Sequence, residues 1–429
     1  MTPTPAQEAR LAKVTELILK KTETASKDFP QVKEVLVGGS FAKGTWLPEE
    51  ADIDIFVKIS PEVDDPTFEE IGLQIGRRAG RGYPFGKKYA QHPYTEATID
   101  GIKFNIVPCF DVEPGAWRSA ADRSLYHVKF VSEKMDDQAK LQVRLLKSFM
   151  RSAGVYGAEI EMEGFSGYCA EVLVHNHGGF EQVLRYFAGL RPSSDGSFLE
   201  LKDPVDHNRN LAKAISLESI SRMVLASRAF VKEPKLEFFK KVKRRVRTPL
   251  RGRLFVILFQ HPEISEDTLW GELKKSTRHI ANHLRKNGFL VLRARAASDN
   301  KTRSAIIILP ESESLPELED RTGPGVELAN ETRSFIRMNR GRGHLVWAGE
   351  DGRVHILLKR KYSRLDALLR DILNGQIAKV GASADVVRSV VKTGSLLHGE
   401  RLEREVGKEA WLSEGVHDII ADSIGTDFA

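Results

Sequence analysis

The sequence predicts a multidomain α+β protein, and three observations carry that expectation. Its 429 residues exceed what one hydrophobic core holds, so roughly two to four domains are expected. Strand-like and helix-like patterns are segregated, with strands near the N-terminus, a helical stretch in the middle and strands again afterwards. The composition, 41% hydrophobic and 29% charged, is that of a packed globular chain and excludes a disordered or collagen-like one.

Residues 6–27 carry apolar side chains at helical spacing and predict an opening helix. Residues 32–60 then read as a strand (VKEVLVGG), a Gly-rich turn with a short helix (SFAKGTW), and a strand (ADIDIFVKI). Next, TEATI and IKFNIV flank Asp100-Gly101, a two-residue hairpin signal. Such a turn pairs Ile99 with Ile102, Thr98 with Lys103, Ala97 with Phe104 and Glu96 with Asn105. The expected result is a small mixed sheet with helices over one face, spanning 1–137. Residues 138–247 read as a helical layer, from QAKLQVRLLKSFMRSAG through SGYCAEVLVHNH and FEQVLRYFAGL to SLESISRMVLASRAFVKE. In 248–345, LFVILF, a long helix, FLVLRARA and SAIIILP give a strand, helix, strand, strand order, that of a ferredoxin-like or RNA-recognition-like body. Residues 346–429 hold a hairpin turning at Asp351-Gly352 and further helices, an α/β tail with the C-terminal part of the body.

No run approaches the ~20 apolar residues that cross a bilayer, and the N-terminus lacks the order of a signal peptide, so a cytoplasmic protein without a membrane partner is expected. Cys109 and Cys169 are the only cysteines, too few for a disulfide framework or a four-thiolate zinc site. His175-Asn176-His177 reads as loop histidines, because no other ligand follows at zinc spacing. The net charge is +6, yet residues 232–253 alone hold ten Lys or Arg against Glu233 and Glu237. Such a stripe is the footprint of a polyanion partner, or the solvated face of a helix.

Gly38-Gly39-Ser40 closes a strand, and Asp52-Ile53-Asp54 lies on the next one. Side chains alternate along a strand, so Asp52 and Asp54 share a face while Ile53 points to the core. Two carboxylates this close repel unless cations lie between them, and hard oxygen donors suit Mg²⁺. The Gly-Gly-Ser turn offers backbone N–H groups and a hydroxyl to phosphate oxygens. Either feature alone is common; joined in this order they point to metal-assisted phosphoryl transfer.

Gly39-Ser40 followed by Asp52-x-Asp54 resembles the signature of the DNA polymerase β-type nucleotidyltransferase superfamily. More narrowly, GSFAKGTWLPEEADIDIF, AQHPY, IVPCF, ADRSLYHVKF, RLLKSFMRSAGVYGAE, GFSGYCAEVL and DPVDHNRN are similar to archaeal, class I CCA-adding tRNA nucleotidyltransferases. The resemblance implies a catalytic head, a neck that recognises the base, and a body and tail that bind tRNA. It also implies Mg²⁺, CTP and ATP as substrates, and template-free addition of C, C and A to tRNA. Carried over by motif, Gly39, Ser40 and Lys43 meet the triphosphate, and Asp52 and Asp54 hold the metals. Ser124 and His127 reach phosphates or ribose, Lys147 and Tyr156 cradle the triphosphate, and Arg209 helps select the base. Lys243, Arg244, Arg245, Arg247, Arg340 and Arg342 would grip the acceptor and TΨC arms by shape and backbone. A homodimer is compatible with the resemblance, and a poly(A) polymerase-like relative is the alternative within the superfamily.

One position departs from the pattern. Asn105 stands where the family has a third metal-binding aspartate; its amide oxygen can ligate Mg²⁺ but cannot accept a proton from the attacking hydroxyl. Three readings follow: the carboxylate has moved across the hairpin to Glu96, the asparagine is a substitution that traps an inactive complex, or the chain is a tRNA-binding protein without activity.

Overall fold

A computed structural model describes residues 2–48, 51–89, 92–191, 199–240, 247–341 and 343–421. They form two compact units, residues 2–240 and 247–421. In the first unit, α1 (Pro5–Ser26) starts at a capping box: the Thr4 side chain accepts from the Gln7 amide, and the Gln7 side chain accepts from the Thr4 amide. Its buried stripe, Leu11, Val14 and Ile18, has helical spacing. There follow β1 (Val32–Gly38), α2 (Gly39–Lys43), β2 (Asp52–Ile59), α3 (Asp65–Ala79), β3 (Phe85–Tyr89), β4 (Pro93–Ile99) and β5 (Ile102–Phe110). The sheet order is β1-β2-β5-β4-β3, with β2 and β5 parallel and the other pairs antiparallel.

The Asp100-Gly101 turn has positive φ at both residues, 50° and 78°, as a type I′ hairpin requires. The predicted register holds at every pair, including Glu96 opposite Asn105. Ile53, Ile55, Val57, Phe104 and Ile106 fill the core under α1 and α3. Each such buried side chain contributes about 1.5–3 kcal/mol. The alternate residues, Asp54, Asn105 and Glu96, lie on the other face.

The helical layer begins with α4 (Asp122–Lys134) and continues through α5 (Asp137–Ser152), α6 (Gly167–His177), α7 (Phe180–Gly189) and α8 (Leu217–Lys232). Asp122 fixes α4 to the end of β5 by accepting from the amides of Phe110 (2.8 Å), Arg118 (2.9 Å) and Ser119 (2.7 Å). These helices have a core of their own, around Leu146, Phe149, Phe165 and Phe187. The two histidines expected in a loop are the end of α6. His175 stands edge-on to Phe130 at 5.0 Å, and His177 lies 4.3 Å from the Tyr186 ring.

The second unit contains β6 (Phe255–Gln260), α9 (Glu266–Lys286), β7 (Val291–Ser298), β8 (Arg303–Pro310), β9 (Leu318–Gly325), α10 (Ala329–Asn339), β10 (Gly343–Ala348), β11 (Arg353–Lys359), α11 (Leu365–Asp371), α12 (Ile377–Val380), α13 (Ala384–Thr393), β12 (Ser395–Leu397), α14 (Glu400–Val406) and α15 (Ala410–Ile420). One sheet runs β12-β6-β8-β7 with antiparallel neighbours. That is order 4-1-3-2 among its own strands, the ferredoxin-like arrangement. LFVILF is apolar throughout because both faces of β6 are covered. Phe255, Ile257 and Phe259 pack in the core with α9 and α11 to α13, and Leu254 and Val256 in the core with α14 and α15. Between β8 and α11 the chain forms a three-stranded sheet, β10-β11-β9. The division expected at 345 therefore falls inside β10, because β9 was not legible as a partner of the hairpin.

Candidate active site

The acidic row is built by strand register. Gly38 pairs with Asp54, Asp54 with Asn105, and Asn105 with Glu96. Paired residues share a face, so one line of side chains crosses three strands. Asn105 donates from Nδ2 to Asp54 Oδ1 at 2.9 Å, and Asn105 Oδ1 is buried without a hydrogen-bond partner among the described residues. Burial pushes the Asp54 carboxyl up, against the hydrogen bond from Asn105 and the charge of Lys43. Asp52 is exposed at the start of β2. The Glu96 carboxylate lies 4.0 Å from Lys88 Nζ, and among the described residues no three His, Cys, Asp or Glu side chains converge as a metal cluster. Gly39 has φ +67°, and a Cβ there would fall 2.0 Å from Asp54 Oδ2. Hard oxygens of Asp52, Asp54 and Asn105, the orphaned Oδ1 among them, fit a divalent cation.

Beside this row, the end of α2 meets the helical layer. Lys43 Nζ lies 2.6 Å from Glu171 Oε2, and Thr45 Oγ1 donates to Glu171 Oε1 at 2.5 Å. Lys147, on α5, donates to the Thr45 carbonyl (3.0 Å), Thr45 Oγ1 (3.1 Å) and Glu171 Oε1 (3.1 Å), which occupies all three ammonium hydrogens. Burial draws Lys147 down to about 8, with Glu171 holding it up against Lys43 and Arg144. Burial alone would raise Glu171, yet Lys43 and Lys147 keep it ionised below the usual carboxylate range. A Cβ at Gly167, on α6, would lie 3.2 Å from Tyr156 Oη and 3.3 Å from Lys147 Nζ, so a side chain there would press on both groups and the glycine lets them approach the helix.

A second acid anchors the base-recognition candidates. Asp203 is fully buried, and its Oδ1 accepts from the Tyr168 hydroxyl at 3.0 Å and from the Val205 amide at 2.9 Å. Its Oδ2 accepts from Arg209 Nη1 at 3.2 Å. His127 stacks on Tyr168 with ring centroids 3.7 Å apart and places Nε2 3.4 Å from Asp203 Oδ2, without hydrogen-bond geometry. Burial pulls the His127 imidazole down. Ser124 stands one helical turn before His127 on α4, and Lys43 lies over the Tyr168 ring at 5.6 Å. The structure thus joins Lys43, His127, Lys147 and Arg209 through two acids that sequence reasoning did not single out, Glu171 and Asp203. Both sit in the quoted motifs; Glu171 carried one signal, a lone charge within the apolar run of α6.

Of the tRNA-binding candidates, Arg247 and Arg340 are described, and both are exposed. Lys243, Arg244, Arg245 and Arg342 lie outside the described residues. Arg251, within the same basic stripe, pairs with Glu403 at 3.0 Å and is structural.

Residues 19–127 match the nucleotidyltransferase domain, 141–240 the second domain of tRNA nucleotidyltransferase, and 251–399 the C-terminal domain of CCA-adding enzyme. The chain is 38% identical to a CCA-adding enzyme of Pyrobaculum neutrophilum over 88% of its own length and 92% of that protein. To a CCA-adding enzyme of Saccharolobus shibatae it is 33% identical, over 82% of this chain and 89% of the relative. To one of Sulfurisphaera tokodaii it is 32% identical, over 84% and 91%.

Proposed function

The chain belongs to the CCA-adding enzyme family, and from that premise we propose how its residues carry the addition of CCA to the 3′ end of tRNA by nucleotidyl transfer. CTP, then ATP, lies with its triphosphate against the Gly39-Ser40 turn, Lys43 and the edge of the Lys147 and Tyr156 pair. Ser124 and His127 face its phosphates or ribose. Arg209, held by Asp203, presents a planar fork to the base edge. Asp52, Asp54 and Asn105 Oδ1 would hold Mg²⁺. When bound, the ions neutralise charge on the reacting phosphate and lower the pKa of the attacking hydroxyl.

The tRNA 3′-oxygen forms a bond to the α-phosphorus, the bond from that phosphorus to the β-phosphate oxygen breaks, and pyrophosphate leaves. Glu96 takes the hydroxyl proton, since Asn105 has no basic atom for it. Arg247 and Arg340, with Lys243, Arg244, Arg245 and Arg342, contact phosphates of the acceptor and TΨC arms.

The observation that carries this reading is the row Gly38, Asp54, Asn105, Glu96 on one face of the sheet, with Lys43 near enough to act on Asp54. The test is nucleotide incorporation into tRNA lacking its terminal trinucleotide, with CTP and ATP supplied separately and together. Use of CTP for the first two positions and ATP for the last supports CCA addition; ATP use alone points to the poly(A) polymerase-like activity instead.

A further inference from the structure

We propose that Glu171 is the positioning residue that holds Lys43 and Lys147 as one cationic pair against the triphosphate. This rests on the reading that those two lysines bind the triphosphate.

The three side chains come from separate elements. Lys43 ends the short helix after the Gly-Gly-Ser turn, Lys147 lies on α5, and Glu171 lies on α6. Glu171 is fully buried and gives one oxygen to each lysine, while Thr45 bonds to the same oxygen as Lys147. Two ammonium groups share this one buried carboxylate, and Asp54, which feels the charge of Lys43, is itself pushed toward its neutral form by burial, so positive charge is left in excess in a desolvated place. Arg144, which donates to the Gly44 carbonyl at 2.6 Å, adds to it. A buried, under-compensated charge is costly, so the cluster is electrostatically incomplete until an anion arrives. The backbone of α6 at Gly167 packs close against Lys147 Nζ and Tyr156 Oη, where a Cβ would already press on both at 3.3 and 3.2 Å.

Without Glu171, two buried ammonium groups would face each other, with Arg144 close by and no carboxylate between them. Lys147, already drawn down to about 8, would lose its proton at lower pH, and CTP would meet a site with one positive charge fewer. A purely structural role for Glu171 would lower stability without making nucleotide binding more sensitive to pH.

The experiment is calorimetric titration of the full chain with CTP and Mg²⁺ at pH about 6.5 and about 9, well below the melting temperature of each variant. Glu171→Gln is expected to lose at least about tenfold more affinity than the parent across that pH step, the factor that one pKa unit supplies. Glu171→Asp restores much of the parent profile, and Val183→Ala, a buried substitution on α7, which carries none of these charged groups, keeps that profile. A Glu171→Gln profile that follows the parent overturns the inference. If Glu171→Gln does not fold, Lys147→Met is compared with Lys147→Met combined with Glu171→Gln. Weaker CTP binding by the double variant supports the inference and equal binding overturns it. Lys43→Met and Lys147→Met tell the two failures apart. If neither weakens CTP binding, the triphosphate reading falls; if both do and Glu171→Gln does not, only the role of Glu171 falls.

Discussion

Asn105 gives an Nδ2 hydrogen to Asp54 Oδ1 at 2.9 Å, so a neutral amide lies beside a partly buried carboxylate where a second carboxylate would repel it. Glu96 completes the row from the opposite side of Asn105. In the mechanism proposed above, the amide orders Asp54 and would ligate the metal, and the acid one strand further on would take the proton.

Glu96→Gln is therefore expected to lower kcat by about 10²–10⁴-fold, the usual worth of a general base, with little change in melting temperature. Asn105→Asp, added to Glu96→Gln, should recover much of that loss. In the absence of metal, Asn105→Asp alone should cost about 1–2 kcal/mol through repulsion with Asp54, and Mg²⁺ should restore it. Single-turnover incorporation and thermal melts with and without Mg²⁺ check this. If Glu96→Gln turns over like the parent while Asn105→Asp is faster by orders of magnitude, the proton is not carried by Glu96.

Gly39→Ala should abolish nucleotide addition. The residue has φ +67°, which costs a side-chain-bearing residue about 1–2 kcal/mol, and the new Cβ would overlap Asp54 Oδ2. Denaturant melts should show a stability loss at least that large, and Mn²⁺ titration should show weakened binding.

Asp203 gives a pH dependence with a definite sign. Burial alone would raise its carboxyl, but His127, the Val205 amide and Tyr168 hold it well below the ordinary value. A carboxyl depressed in the folded state contributes stability that is complete above the unfolded value of about 3.9 and is lost as pH falls toward the folded value. Asp203→Asn should be less stable by about 1–3 kcal/mol at neutral pH, because the Tyr168 hydroxyl and the Val205 amide lose a charged acceptor, and its stability should fall less steeply below pH of about 4. Urea melts across that range make the measurement; parallel acid limbs would contradict it.

How much of this was legible follows from particular residues. The hairpin register is readable because Asp100-Gly101 sets the turn and alternation sets the faces, which together place Glu96 against Asn105. β9, LEDRTGPG, was not readable, since its Gly, Pro and charges suppress every strand signal and only pairing with β11 makes it extended. β12 is three residues long and owes its conformation to β6. The bonds from Lys43 to Glu171 span 128 positions in the chain, and no local pattern encodes such a pairing.

The basic surface predicts a salt effect. Arg247→Ala combined with Arg340→Ala should weaken tRNA binding uniformly across sequences and lower the slope of log affinity against log salt by about 0.7–0.9 for each phosphate left without its arginine. Filter binding over a range of KCl concentrations reads both quantities; an unchanged slope would remove these arginines from the interface.

The most direct measurement is transfer of labelled CTP and ATP to tRNA lacking its terminal trinucleotide, by the parent chain and by Asp54→Asn with Mg²⁺ present. The parent should finish the 3′ end with C, C and A, and Asp54→Asn should be slower by about 10³-fold or more, equivalent to about 4 kcal/mol of barrier. Tight tRNA binding by the parent with no nucleotide joined, in Mg²⁺ or in Mn²⁺, would contradict catalysis at this acidic row.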